Sequence, residues 1–350
     1  MTIIKLIIFL SIPVCLPSYA NDAHDIFYQA FNFAKKESPF SQQINWNSIE
    51  TQALEFINSN PTACRGTSAI ENVLAPALRK YDFHTNVTTE GLGSELCPIY
   101  QSQEISSYWQ DYLQLCQDKR TFIEEKVNHF WGERFGDIAY IYVPSGLANS
   151  NDAIKARIIE GRKVIDSLNL ETATGIIVDF RMNTGGHYFP MLMSIAKILK
   201  PETLFQYSNG EKISISEDGN TLTTVTPEGT TEILYHIDNQ PHISRVALNT
   251  IILVDEGTSS SGAITAFAVK ENATNSVLLG ERTSQTFSVN TSLELKDGNY
   301  FNLMILRILS TSGIEQPLYL DVEYKTIHNF HRMFNIKDQN IKLAIKLLKR

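Results

Sequence analysis

Downstream of residue 136 the chain alternates short unbroken apolar runs with longer stretches that are apolar at every third or fourth position. The unbroken runs at 137–144, 174–181, 249–255 and 276–280 predict strands buried on both faces. Between them, 151–168, 188–199 and 261–272 have helical spacing, and 338–350 repeats it at the end. Segments 204–240 and 286–311 alternate in polarity. They carry Asn209-Gly210, Asp218-Gly219, Glu228-Gly229 and Lys296-Asp-Gly-Asn299, so they predict hairpins. Upstream, 22–80 is apolar at helical intervals in three blocks, beginning near Asp25, Ile49 and Thr67. Residues 85–135 are polar and weakly periodic, and predict a linker with one short helix near 108–117. Strands alternating with helices define an α/β (α+β mixed) class. The expected plan is a leader over 1–20, a helical region and linker over 21–135, and a core over 136–350.

The leader changes the picture of where the chain works. Lys5 precedes a short apolar run, and Ser18-Tyr19-Ala20 supplies the small residues of a cleavage site. The run is too short for a membrane span and contains two prolines. No other apolar stretch reaches membrane length, so the expectation is a periplasmic or secreted protein with no span after cleavage. The net charge of -8 becomes -9 once Lys5 is removed. Phosphate contacts need clustered Lys and Arg, so nucleic acid is excluded as an expected partner. Beyond the leader stand Cys64, Cys97 and Cys116, enough for one disulfide with one thiol left over. Their spacing is not that of a metal site, and neither metal nor organic cofactor is expected.

Three segments at element exits carry candidate chemistry. Val254-Asp-Glu-Gly-Thr-Ser-Ser-Ser-Gly-Ala-Ile264 runs from a strand through hydroxyls into a helix. Unpaired N–H groups at a helix start favour an oxyanion, although Thr258 or Ser259 would also serve as a plain N-cap. Val178-Asp-Phe-Arg-Met-Asn-Thr-Gly-Gly-His187 places paired glycines after a strand. Such glycines expose backbone N–H groups that can line an oxyanion hole, or simply make a tight turn. Leu78-Arg-Lys-Tyr-Asp-Phe-His84 puts a histidine past a helix end, a general-base candidate or a structural imidazole.

Together these segments resemble the carboxyl-terminal processing (tail-specific) serine peptidase family, in its tricorn-core-like branch, over about residues 70–325. The pattern Asp-x-Arg-x-Asn-x-Gly-Gly is met by Asp179, Arg181, Asn183, Gly185 and Gly186. Gly-Thr-Ala-Ser is met by Gly257, Thr258 and Ser260, with Ser259 in place of the alanine. Gly-Glu-x-Thr is met by Gly280, Glu281 and Thr283, and the upstream histidine element by Asp82, His84 and Thr85. The resemblance implies a ClpP/crotonase-like ββα-type core with a helical N-terminal region. It implies a peptide or protein substrate and Ser260 as nucleophile. Gly185 or Gly186, with the Ser261 N–H, would form the oxyanion hole. Thr283-Ser-Gln-Thr-Phe-Ser-Val-Asn290 contains no Lys, so the Ser–Lys dyad of many members is excluded. The base would then be His84, with Glu315 as the third member and Asp321 as its alternative. The interval from His84 to Gly136 is too short for the PDZ domain common in the family.

Two other readings fit parts of the chain. An α/β-hydrolase elbow has Gly262 after Ser260, but Thr258 stands where its first glycine belongs; His328 or His331 would be the downstream histidine. A binding or scaffold protein that keeps the fold without catalysis would explain Ser259, Met182 and Thr184.

Overall fold

The computed structural model describes residues 19–59, 64–81, 85–89, 127–146, 148, 150–283, 288–314, 320–324 and 336–350. The chain divides into two compact units, residues 1–100 with 291–303, and residues 101–290 with 304–350.

The first unit is built on three helices: α1 (Tyr19–Glu37), α2 (Trp46–Ser59) and α3 (65–79), the last passing through a π-turn at Ile70–Leu74. Phe27, Phe31 and Ala34 of α1 are buried, as are Trp46, Ile49, Ala53 and Ile57 of α2. The Phe31 and Trp46 rings meet edge to face at 5.4 Å. Strand β1 (Asn86–Thr89) pairs antiparallel with Asn299–Asn302. Cys64 is disulfide-bonded, and Cys97 and Cys116 lie outside the described residues. The leader up to residue 18 and the helix expected near 108–117 also lie outside them.

The second unit is organised by one six-stranded sheet. In chain order its strands are β2 (Trp131–Phe135), β3 (Ile138–Tyr142), β4 (Gly175–Asp179), β9 (Asn249–Val254), β10 (Val277–Gly280) and β13 (Val322–Glu323). Their spatial order is β13-β10-β9-β4-β3-β2, parallel throughout except for the antiparallel edge pair β2–β3. Between β4 and β9 an antiparallel arm is formed by β5 (Thr203–Tyr207), β6 (Lys212–Ile215), β7 (Thr221–Val225) and β8 (Thr231–His236). Strand β11 (Ser288–Glu294) pairs with β12 (Asn299–Leu309), the hairpin predicted from the turn at Lys296.

The sheet is buried on both faces, which explains the unbroken apolar runs. Ala139, Ile141, Ile176, Val178, Ile252 and Val254 face one core, with Ile154 and Ile158 of α4 (Asn151–Ser167), Met191 of α5 (Tyr188–Ser194) and Phe267 of α6 (Ser260–Asn272). Tyr140, Tyr142, Ile177, Ile251 and Leu253 face the other, with Ile341 and Ala344 of α7 (Gln339–Leu348). This alternation is the strand period of two.

Two elements differ from expectation. Strand β2 lies inside the stretch read as linker. Among the described residues it is a half-buried edge strand paired with β3, so it lacks a strong apolar run. Its Trp131 and Phe135 rings pack on Tyr140 at 5.1 and 5.7 Å. The helix expected over 188–199 ends at Ser194 and tightens into a 3₁₀ turn at Ala196–Ile198.

Candidate active site

Parallel strands end on the same side of a sheet, and crevices form where they end. Here the exits of β3, β4 and β9 meet. The exit of β9 forms a closed turn: the Asp255 N–H donates to Thr258 Oγ1 at 3.0 Å, and the Thr258 N–H donates to Asp255 O at 3.0 Å. The Asp255 carboxylate, buried at 1% exposure, reaches across to the neighbouring exit and accepts the Met182 N–H at 3.0 Å. Thr258 Oγ1 donates to Phe180 O, and the Ser259 N–H donates to Asn183 O at 3.0 Å. The two loops are thereby zipped together along their length.

Met182 and Ser260 both have positive φ, +63° and +49°. Such conformations cost non-glycine residues about 1–3 kcal/mol and persist only where neighbours over-determine them. Ser259 stands at the N-cap of α6 in extended conformation, and Ser260 follows as its first residue, half-buried. An α-helix leaves its first N–H groups without intrahelical acceptors, and the Ser261 N–H is one of these.

The three serines are not equivalent. Ser259 Oγ donates to Thr184 O at 3.1 Å, and Ser261 Oγ donates to Gly186 O at 2.6 Å. Both flanking hydroxyls are thus spent on the glycine turn, and Ser260 lies between them. Gly185 (φ +104°) has to be glycine here: a Cβ on it would lie 2.6 Å from Ser260 Cβ.

The glycine turn contains three peptide groups, and a planar trans peptide points its C=O and N–H in opposite directions. In the first, Thr184 O accepts from Ser259 and the Gly185 N–H donates to Asn183 Oδ1 at 3.0 Å. In the second, Gly185 O accepts the Gly146 N–H at 2.8 Å. In the third, Gly186 O accepts from Ser261 and the His187 N–H donates to Gly146 O at 2.7 Å. Of these six groups, the Gly186 N–H is the one without a partner among the described residues. Gly146, from the β3 exit, was not singled out from the sequence. The Ser145-Gly146 turn signal at a third strand exit could have found it.

Asp179 and Arg181 belong to the scaffold. Both are fully buried, and Arg181 Nη2 meets Asp179 Oδ2 at 2.5 Å while Nη1 meets Asp338 Oδ2 at 2.8 Å. Burial alone lowers the Arg181 pKa, but the Asp179 and Asp338 carboxylates outweigh it and hold the guanidinium charged. The Tyr140 hydroxyl donates to Asp179 Oδ2 at 2.7 Å; burial, then the Asp179 charge, push its pKa far upward. Asp338, a second residue missed from the sequence, also caps α7 by accepting the Asn340 N–H at 2.8 Å.

Ser260, Ser261, Gly185 and Gly186 are therefore brought together. His84 and Glu315 lie outside the described residues, as do His328 and His331. Asp321 is engaged elsewhere: it pairs with Lys270 at 2.6 Å and accepts the Leu278 N–H at 2.7 Å. Lys270 is near the far end of α6, about 15 Å of helix from Ser260 at 1.5 Å per residue. Gly280 ends β10, and the Glu281 N–H donates to Val254 O at 3.1 Å, which sets the Gly-Glu-x-Thr element beside the β9 exit. His187, next to the glycine pair, is half-buried, and burial lowers its pKa. Its Nδ1 accepts the Phe189 N–H at 3.3 Å, so the neutral ring carries its proton on Nε2 and is a donor there. Among the described residues no group of three or more His, Cys, Asp or Glu is placed to hold a metal. No helix among them is long and apolar enough to cross a membrane.

Strained serine at a helix start, paired glycines at the adjoining strand exit and a mixed α/β core define a serine-peptidase type of scaffold. A family model, peptidase family S41, matches residues 137–319, and the chain belongs to that family. It is 25% identical over 177 residues to the chloroplastic C-terminal processing peptidase of Tetradesmus obliquus, covering 50% of this chain and 32% of that one. It is 28% identical over 198 residues to the carboxy-terminal processing protease CtpA of Bacillus subtilis (strain 168), covering 53% and 38%. The aligned parts thus span about a third of those relatives. The solved structure of a lipoprotein from Streptococcus agalactiae has a similar fold, with a TM-score of 0.60 at 17% identity over 97% of this chain and 99% of that one. The resemblance drawn from the motifs is borne out.

Proposed function

We propose that the chain is an exported serine peptidase that hydrolyses peptide bonds through an acyl-enzyme on Ser260. The observation that carries this reading is the open Gly186 N–H beside a strained Ser260 at a helix start. In the proposed reaction Ser260 Oγ attacks the scissile carbonyl while a base takes its proton. The carbonyl oxygen becomes an oxyanion and accepts from the Gly186 and Ser261 N–H groups. Each such donor typically contributes about 10²–10³-fold in kcat. The amine leaves with a proton returned by the base, and water then hydrolyses the ester.

The base is assigned to His84 and the residue that orients it to Glu315. Imidazole titrates near neutral pH and a carboxylate fixes its tautomer, which suits this role. The donor state of His187 Nε2 supports assigning the base elsewhere in the chain. The substrate is a peptide or protein. Export rests on the leader ending at Ala20, and the disulfide at Cys64 suits an oxidising compartment.

A fluorophosphonate probe tests the reading. Wild type is expected to label on Ser260, Ser260→Ala not at all, and His84→Ala at least a hundredfold more slowly. A wild type that stays unlabelled across pH 6–9 refutes it.

A further inference from the structure

We infer that Ser259 and Ser261 are positioning residues whose hydroxyls hold the glycine turn with the Gly186 N–H turned toward the oxyanion. The inference rests on the hydrolase reading of Ser260.

The peptide between Gly185 and Gly186 is the least restrained in the turn. Both residues lack Cβ, and both have positive φ, +104° and +108°. Rotating that one peptide would turn its N–H away and present the Gly185 carbonyl instead. An oxyanion would then meet a carbonyl oxygen rather than a donor. Rotation turns Gly185 ψ and Gly186 φ together, and it is resisted more strongly when the peptides on either side are pinned; each of these is held by a serine. Ser259 Oγ holds Thr184 O at 3.1 Å, and Ser261 Oγ holds Gly186 O at 2.6 Å. The Gly146 N–H holds Gly185 O itself at 2.8 Å.

The two anchors are the immediate neighbours of Ser260. The hydroxyl positions are therefore tied to the backbone that carries the nucleophile, and the spacing from Ser260 Oγ to the Gly186 N–H follows from one short rigid segment. Where the family pattern has alanine before the nucleophile, this chain has Ser259, so the hydroxyl is an addition to the basic machinery. Preorganised donors act on the transition state rather than on ground-state binding. Loss of an anchor is thus expected to weaken tetrahedral adducts and leave uncharged ground-state complexes intact.

The test compares full-length wild type, Ser259→Ala, Ser261→Ala, the double alanine variant and the hydroxyl-retaining Ser259→Thr and Ser261→Thr. Three quantities are read: the rate of fluorophosphonate labelling, competition by peptidyl aldehydes, and competition by the matching peptidyl alcohols. An aldehyde forms a hemiacetal: Ser260 Oγ bonds to its carbonyl carbon as the C=O π bond opens, the Ser260 proton passes to the base, and the oxygen, now singly bonded, enters the hole. The alcohol cannot form that bond. Each alanine variant is expected to lose about fivefold, the size of one hydrogen bond, in labelling rate and aldehyde affinity, with alcohol affinity unchanged. The double variant is expected to lose more than tenfold, and the threonine variants to recover most of it. A double variant that labels and binds aldehyde like wild type overturns the inference while the hydrolase reading stands, as does an equal loss for aldehyde and alcohol. A wild type that does not label overturns both.

Discussion

The Asp338 carboxylate lies 2.8 Å from the Arg181 guanidinium, joining the first turn of the C-terminal helix to the exit of the central strand β4. Arg181 is fully buried, and its charge is balanced there by Asp179 and Asp338. One residue further on, Met182 adopts its positive φ and donates to Asp255. Asp338 is thus part of what fixes the loop that leads into the glycine turn, through a contact with a residue 157 positions away in sequence.

Asp338→Ala is expected to destabilise the fold by about 1–3 kcal/mol, because it leaves Arg181 paired with Asp179 but removes the acceptor at Nη1 and the cap on Asn340. Urea denaturation measures this. Asp338→Asn keeps an oxygen toward Arg181 and the cap on Asn340, and is expected to cost less. Equal stability of wild type and Asp338→Ala would show that the pair contributes nothing.

Gly185→Ala tests the contact with Ser260. The new methyl group would sit against Ser260 Cβ, at a backbone conformation that L side chains rarely adopt. Fluorophosphonate labelling is expected to fall at least a hundredfold, with the thermal midpoint lowered by a few degrees. Labelling at the wild-type rate would mean that the turn and the serine do not need this approach.

The burial of His187 predicts a pH effect on stability. Its pKa in the folded chain lies below the ordinary histidine value of about 6.5. As pH falls below that value, the unfolded chain binds a proton that the folded chain resists. The stabilisation is full above about pH 6.5 and is lost as pH falls through the lower folded value. His187→Gln removes the titration. Its urea midpoint is expected to fall less than that of wild type between pH 7.5 and 5; parallel curves would contradict the assignment.

Much of the core was legible because its signals are local. Four unbroken apolar runs marked β3, β4, β9 and β10, since a strand buried on both faces has no polar alternation to hide it. Strand β2 was lost in the apparent linker because an edge strand buries only part of each side chain. Gly185 and Gly186 were legible as a turn, and the triple serine as a helix start. Their partners were not: the Gly146 bracket, the Asp255 reach to Met182 and the Asp338 pairing join residues that no spacing rule connects.

The sequence by itself determined the class of core, the two loops of the candidate site and the family, because periodicity and motif spacing are properties of adjacent residues. It left Gly185 and Gly186 as equals and the three serines distinguished only by their register in a motif. Tertiary structure separated them. The Gly185 N–H is taken by Asn183, the Ser259 and Ser261 hydroxyls by Thr184 and Gly186, and the Gly186 N–H is left without a partner among the described residues. Those outcomes depend on which way each peptide plane turns, and that is set by hydrogen bonds arriving from another strand exit.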